Sequence, residues 1–357
     1  MKRIEGQKYA PIGKPEPVCG NGEFLVGVIG LDHGHIYGMC NGLVEAGAKI
    51  VFVYDHDPRK VEDFCAQYSS VLIASSEEEI LTDSSINLVA SAATPFQRGS
   101  LGLRVLAHGK DFFSDKPPFT TLDQIQAAKS SVRTTGRKWF VYYSERLHVE
   151  AAVYAERLIN DRAIGDLVSI KGWGPHRLSL SNRPLWFFDK EKYGGILIDI
   201  GSHQLEQILF YSGSEDAEIV SSRVGNLHHP EYPGLEDWGD VTLLTSSGIP
   251  CYINVDWFTP DGLGTWGDGR LVIVGTKGYI ELRKYTNVAI SPQGDNVILV
   301  NDHGEYLYNV GGTIGFPYFG RLIRDSLDRT ETAMKQEHAF KAIELAIEAQ
   351  TKAIRIR

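Results

Sequence analysis

Along residues 24–143 short apolar runs alternate with stretches of helical periodicity. The runs at 24–29, 49–54, 71–74, 88–91, 111–114 and 139–143 are close to continuous, as in strands buried on both faces. Between them, 35–46, 58–67, 77–81, 97–108 and 122–135 repeat apolar positions at the spacing of a helix face. Gly109 and Gly136 stand where the last two would stop. Strand and helix taking turns in this way predicts a doubly wound parallel sheet, an α/β arrangement.

Past Arg146 the texture changes. Helices are predicted at 148–160 and 196–211, and strands at 167–173, 218–227, 240–245, 251–257, 269–275, 279–283, 288–291, 296–300 and 305–310. Turns such as Ser247-Gly248 and Lys277-Gly278 join consecutive strands, which predicts an α+β domain with a large, mainly antiparallel open sheet. Residues 317–354 read as helix again. The predicted organisation is a leader over 1–22, extended on the surface or on a neighbour, a first domain over 23–145 and a second over 146–357.

The first apolar run ends in Gly30-Leu31-Asp32-His33-Gly34-His35 before a helical segment, the order in which a parallel strand presents a helix N-terminus to a phosphate. Asp55 ends the next strand about twenty residues further on, where a carboxylate accepts the ribose hydroxyls of an adenosine. Together these predict a Rossmann-type dinucleotide-binding domain. The turn departs from G-x-G-x-x-G, since Asp32 holds the second position and His35 the third. A carboxylate there would repel a close pyrophosphate; Asp32 would alternatively cap the helix, with His33 and His35 offsetting negative charge. A plain strand–helix turn in an α/β domain without a nucleotide is the competing reading of this stretch alone.

Length and composition fit this picture. A chain of 357 residues, 43% hydrophobic and 23% charged, sustains two globular domains. Thirty-six basic against 45 acidic side chains leave a net charge of −9, which argues against nucleic acid as a partner. No apolar stretch approaches the roughly 18 residues of a membrane span, and residues 1–23 lack the apolar centre of a secretory signal. Cys19, Cys40, Cys65 and Cys251 show neither a C-x-x-C pair nor metal-ligand spacing, so reduced thiols, a cytoplasmic location and no metal are expected. His228-His229 with Glu231 or Asp237 is the weak exception, because adjacent residues on a strand point apart.

Two stretches carry chemistry. Ser114-Asp115-Lys116-Pro117-Pro118 follows the end of a predicted parallel strand, where such sheets bind ligands, and the prolines fix the backbone so that the Lys116 ammonium can be aimed. A solvated loop lysine is the bland alternative. In Gly194-Gly195-Ile196-Leu197-Ile198-Asp199-Ile200-Gly201-Ser202-His203, Asp199 and His203 stand four apart and share a helix face. A carboxylate beside an imidazole makes a general acid–base unit, or else a plain ion pair.

In this ordered set the chain resembles the Gfo/Idh/MocA oxidoreductase family, which includes glucose–fructose oxidoreductase and inositol dehydrogenases. The family's E-K-P is matched by Asp115-Lys116-Pro117, its G-G-x-L-x-D-x-G-x-H by Gly194 to His203, its crossover arginine by Arg146 and its G-T-x-G by Gly275-Thr276-Lys277-Gly278. Phe96, Gln97 and Arg98 replace the family's usual residues after Thr94-Pro95. The resemblance implies hydride transfer between nicotinamide and a sugar, polyol or sugar-acid carbinol: His203 takes the hydroxyl proton, Asp199 orients it, and Lys116 fixes the substrate oxygen and the nicotinamide ribose. It implies a cofactor site at Gly30, Leu31, Asp32, His33, His35, Asp55, Thr94, Pro95, Asp115, Lys116 and Arg146. NAD is expected over NADP because a 2′-phosphate would meet Asp55, with Arg59 as a possible rescue. His176, Arg177 and Trp186 are substrate-side candidates beside Lys116, Asp199 and His203, and a homodimer or homotetramer is implied. Two alternatives stay open: an NAD-dependent glycosidase working by transient oxidation and elimination, and a binding protein that senses NAD or sugar without turnover.

Overall fold

The computed structural model describes residues 15–290 and 293–356. The chain divides into two compact units: the residues up to Tyr142 together with Gly315–Ala339, and Tyr143–Ile314 together with the residues from Phe340 on. The predicted leader is described only from residue 15; its first fourteen positions lie outside the described residues. Within the described part the Val18 N–H donates to the Ala46 carbonyl (3.0 Å), which ties this segment to the first unit.

In chain order the first unit carries β1 (Leu25–Ile29), α1 (His35–Glu45), β2 (Lys49–Tyr54), α2 (Pro58–Gln67), β3 (Leu72–Ile73), α3 (Glu77–Thr82), β4 (Leu88–Ser91), α4 (Pro95–Ala107), β5 (Asp111–Asp115), α5 (Leu122–Thr135) and β6 (Trp139–Tyr142). The six strands form one parallel sheet in the order β3-β2-β1-β4-β5-β6. Strand order therefore reverses between β1 and β4, and a crevice opens at the carboxyl ends of the strands at such a point. The continuous apolar runs are explained by burial: all of β4, β5 and β6 is buried. Local signals agree with the helix ends, as Thr121 and Gln124 form a reciprocal capping box on α5 and Gly136 closes it at φ +67°.

The second unit follows with α6 (Ser144–Leu147), α7 (Glu150–Asn160), β7 (Leu167–Pro175), α8 (Lys190–Tyr193), α9 (Ser202–Ser212), β8 (Ala217–Gly225), β9 (Trp238–Thr245), β10 (Pro250–Asp256), β11 (Arg270–Gly275), β12 (Gly278–Arg283), β13 (Asn296–Asn301) and β14 (Gly304–Asn309). Later in the chain come α10 (Pro317–Asp328), which belongs to the first unit, α11 (Gln336–Lys352), which starts in the first unit and continues in the second from Phe340, and β15 (Ile354–Arg355) in the second. The nine-stranded sheet runs β14-β13-β12-β11-β7-β10-β9-β8-β15 and is antiparallel except at β7 with β10 and β8 with β15. Helix α9 lies on one face, where Gly172 and Gly174 leave room for the Gln204 amide that a Cβ would meet within 2.8 Å. On the other face Trp173, Leu244, Tyr252 and Tyr279 are exposed.

Three expectations are corrected. Residues 288–290 form a turn rather than the start of a strand, and the end of that expected strand, Ser291, lies outside the described residues. The C-terminal region is not one helix: Arg329, at φ +58°, stops α10, and Asp325 gathers the Thr330 and Thr332 hydroxyls and the Thr332 and Ala333 N–H groups into the intervening turn. Ile354 belongs to an edge strand instead of a helix end.

Candidate active site

The crevice of the first unit is a cavity of about 490 Å³ lined by Gly30, Asp32, Asp55, Lys60, Thr94 and Gln97 among others. Gly30 sits at φ +84°, and a Cβ there would come within 2.7 Å of the Ala93 Cβ, so the turn demands glycine both for its backbone and for its neighbour. Asp55 is held by two backbone donors, Leu31 N–H (2.6 Å) and Asp57 N–H (2.8 Å), at the end of β2 where a ribose diol binds. Asp32 does not cap α1, whose N-cap is Gly34 without a side-chain bond. It reaches across the crevice instead: one oxygen accepts from Thr94 N–H (2.8 Å) and Oγ1 (2.9 Å), the other from Lys60 Nζ (2.5 Å). Burial opposes its ionisation, but Lys60 and Thr94 outweigh that and hold the carboxyl below its ordinary value. The cavity, the glycine turn and the oriented Asp55 fit a dinucleotide. Arg59 is exposed and paired with Asp57.

His33 and His35 do not line this cavity; both lean on Asp115. The His35 Nδ1 lies 2.9 Å from one Asp115 oxygen and the His33 Nδ1 3.6 Å from the other. Arg98, fully buried, donates to the second Asp115 oxygen (3.0 Å) and to the carbonyls of Ala93 (2.6 Å), Lys116 (2.5 Å) and Pro117 (3.1 Å). Asp115 also accepts the Lys116 N–H (2.8 Å). The Asp115-Lys116-Pro117 turn is thus braced on both sides. Although burial raises the Asp115 pKa, His35, Arg98 and His33 bring it far below the carboxylate range. His33, His35 and Asp115 offer potential ligand atoms within 4.8 Å of one another. A guanidinium bonded to the same carboxylate disfavours a cation there.

In the second unit, Gly194 and Gly195 (φ +93° and +110°) lead into a π-helical turn, Leu197–Gly201, that continues as α9. Such turns concentrate at functional sites. Its free N–H groups are capped from afar: Ile196 N–H donates to Glu236 (3.1 Å) and Leu197 N–H to Gln350 (3.0 Å). A Cβ on Gly195 would lie 2.4 Å from the Gln350 amide. Asp199 and His203, both buried, sit on this segment, and the Tyr143 ring stands edge-on to His203 at 6.2 Å. The segment was legible as a helix; its π turn and its two remote caps were not.

The other candidates fall into distinct roles within this unit. Arg146 is clasped by Glu206, with Nε 2.7 Å and Nη2 2.5 Å from one carboxylate oxygen, and stacks on Phe210 at 3.7 Å. Arg177 holds the 260–263 loop through the Pro260 and Leu263 carbonyls. His176 lies between Trp257 and Trp266 (5.4 and 4.5 Å), with Nε2 3.9 Å from a Glu145 oxygen. Trp186 stands beside Phe187, which packs on Trp257. The buried Glu145, paired with Lys284 (2.8 Å) and Gln204 (2.7 Å), had no signal in the sequence. His229 Nδ1 is bound to Asp237 (2.9 Å), whose carboxylate also takes the N–H groups of Leu227 and His228.

Comparison with known proteins agrees with the fold. Residues 24–143 match an oxidoreductase family with an NAD-binding Rossmann fold, and 153–281 match the GFO/IDH/MocA C-terminal domain. The chain belongs to the Gfo/Idh/MocA oxidoreductase family. A crystal structure described as an oxidoreductase, from Erwinia carotovora atroseptica SCRI1043, is 46% identical, covers 94% of this chain and all of that one, and superposes with a TM-score of 0.91. The scyllo-inositol 2-dehydrogenase (NAD(+)) of Bacillus subtilis is 25% identical over 72% of this chain and 73% of its own. The fold is shared with myo-inositol 2-dehydrogenase from Lactobacillus plantarum, at a TM-score of 0.74 and 16% identity over 92% of this chain and 97% of that one. As in its family, the first unit is an NAD-binding domain. Among the described residues no helix is long and apolar enough to cross a membrane.

Proposed function

We propose that this family member is an NAD(H)-dependent dehydrogenase acting on the carbinol of a sugar, polyol or sugar acid. The observation that carries the reading is the Asp115-Lys116-Pro117 turn, whose backbone is fixed by buried Asp115 and Arg98 at the carboxyl end of β5. Effort of that kind is spent where a side chain must be aimed. Lys116 donates a hydrogen bond to the carbinol oxygen and lowers the cost of its negative charge. His203 takes the hydroxyl proton, and Asp199 orients the imidazole and steadies the imidazolium. When bound, nicotinamide supplies the acceptor and donor of hydride. Asp55, with its carboxylate presented at the ribose end of the cavity, favours NAD over NADP. Free thiols at all four cysteines suit a reducing cytoplasm. The apolar sheet face bearing Trp173, Leu244, Tyr252 and Tyr279 suits a second copy of the chain.

A screen of sugars, polyols and their acids for NADH formation identifies the substrate, and one NADH per product is expected. On that substrate Lys116→Met and His203→Gln are each expected to lower kcat at least a hundredfold with NADH binding kept within a few fold. Full turnover by either variant overturns the roles. Product formed by hydrolysis without net NADH overturns the dehydrogenase reading.

A further inference from the structure

Asp32 poses a problem that the family fold does not solve by itself. The second glycine of the turn lets a diphosphate approach the backbone, and here a carboxylate spans the same crevice, bonded to Thr94 on its far wall. The cavity's other acidic lining residues are Asp55, Asp57 and Glu77; its basic ones are Lys60, Arg104 and His56, whose Nδ1 lies 3.2 Å from the Tyr54 hydroxyl. Arg104 is engaged by Glu77 at 2.7 Å. Lys60, on the first turn of α2, stands 2.5 Å from Asp32 and 3.9 Å from Asp55. One ammonium therefore serves both carboxylates nearest the turn.

We propose that Lys60 is what makes Asp32 compatible with dinucleotide binding: the Asp32–Lys60 pair replaces the missing glycine, neutral as a unit and fixed by Thr94. Without Lys60, Asp32 and Asp55 would present two uncompensated negative charges to an entering diphosphate. Without Asp32 as well, the second position of the turn becomes glycine and Lys60 has only Asp55 to offset, 3.9 Å away and already held by the Leu31 and Asp57 N–H groups. The inference is thus one of dependence, in which Lys60 matters to binding chiefly while Asp32, its nearer partner, is present. It rests on dinucleotide binding alone and stands whichever carbinol is oxidised.

The test is a double-mutant cycle read by NADH fluorescence titration, with ADP-ribose competition reporting the diphosphate half alone. Lys60→Met is expected to weaken NADH at least tenfold in 20 mM salt and by less in 500 mM, because both partners are partly exposed and their field is screened. Lys60→Arg, which keeps the charge, is expected to stay within threefold of the parent. Asp32→Gly and Asp32→Gly/Lys60→Met are expected to bind within threefold of each other. Thermal melts of the four proteins without ligand confirm that each is folded. Unchanged NADH binding by Lys60→Met overturns the proposal. So does an equal loss from Lys60→Met in the Asp32→Gly background, which would make Lys60 a direct phosphate contact.

Discussion

Replacing Arg98 with methionine tests the brace behind Lys116. The guanidinium is 1% exposed and its partner Asp115 is 0% exposed, so the pair is fully desolvated. Methionine fills most of the volume but leaves the carboxylate hydrogen-bonded to His35 Nδ1 and Lys116 N–H, with His33 Nδ1 3.6 Å away, and takes the Arg98 donor from three carbonyls. Removing one member of a buried ion pair costs about 3–5 kcal/mol; because Asp115 keeps two partners, a loss of about 3–4 kcal/mol at pH 7 is expected from that range. The sign with pH follows from the depressed Asp115 pKa. Its ionised form contributes stability that is fully present above the unfolded value of about 3.9 and is lost as pH falls toward the folded one. In Arg98→Met burial is less opposed, the folded pKa rises, and that contribution shrinks. The two proteins should therefore differ fully near neutrality, and the gap should narrow only as pH falls from about 4 toward the much lower folded value. Urea unfolding of both at pH 7 and at about pH 2 measures the gap. A gap under about 1 kcal/mol at pH 7, or one that does not narrow in acid, refutes the account. On the substrate from the screen, kcat should fall with the mispositioned lysine while NADH affinity changes little.

Two further substitutions read other parts of the structure. Burial, with Glu150 nearby, pushes Asp295 up to about 6, so its ionisation weakens the fold as pH rises from about 4 to 6. Asp295→Asn keeps an acceptor for the Ala151 N–H (2.9 Å in the parent) and tolerates the φ of +55°; it should be more stable than the parent at pH 8. The gain is up to about 3 kcal/mol and should vanish near pH 4, and equal melting at pH 8 contradicts it. Gly195→Ala combines a φ of +110° with a Cβ 2.4 Å from the Gln350 amide and should cost about 2–4 kcal/mol, seen as a lower Tm. A variant melting within a degree of the parent would show that Gln350 yields freely.

How much of this was legible follows from the range of each interaction. The central strands of the parallel sheet, β1 and β4 to β6, were readable because burial on both faces favours apolar runs, and helix stops were readable where a glycine takes positive φ, as at Gly136. The break at Arg329 was not, because an arginine there carries no such mark; the turn is made by Asp325, which gathers donors from Thr330 to Ala333. The strand expected at 288–291 fails for a related reason: among the described residues 288–290 are taken up in a turn, and β-propensity counts for little without a paired strand.

The site divides along the same line. The proposed site residues Lys116, Asp199 and His203 were named from short motifs along one chain and the resemblance they carry. The residues that support them answer to side chains far away in sequence: Arg98 to Asp115, Glu236 and Gln350 to the N–H groups of Ile196 and Leu197, Lys60 to Asp32. A departure from a family motif is then a prompt to look for its compensation. Asp32 in a glycine's place would be costly if α2 were shifted by one residue, since Lys60 would leave the face that reaches it. The motif and its remote partner are physically one unit, and only coordinates bring them onto one page.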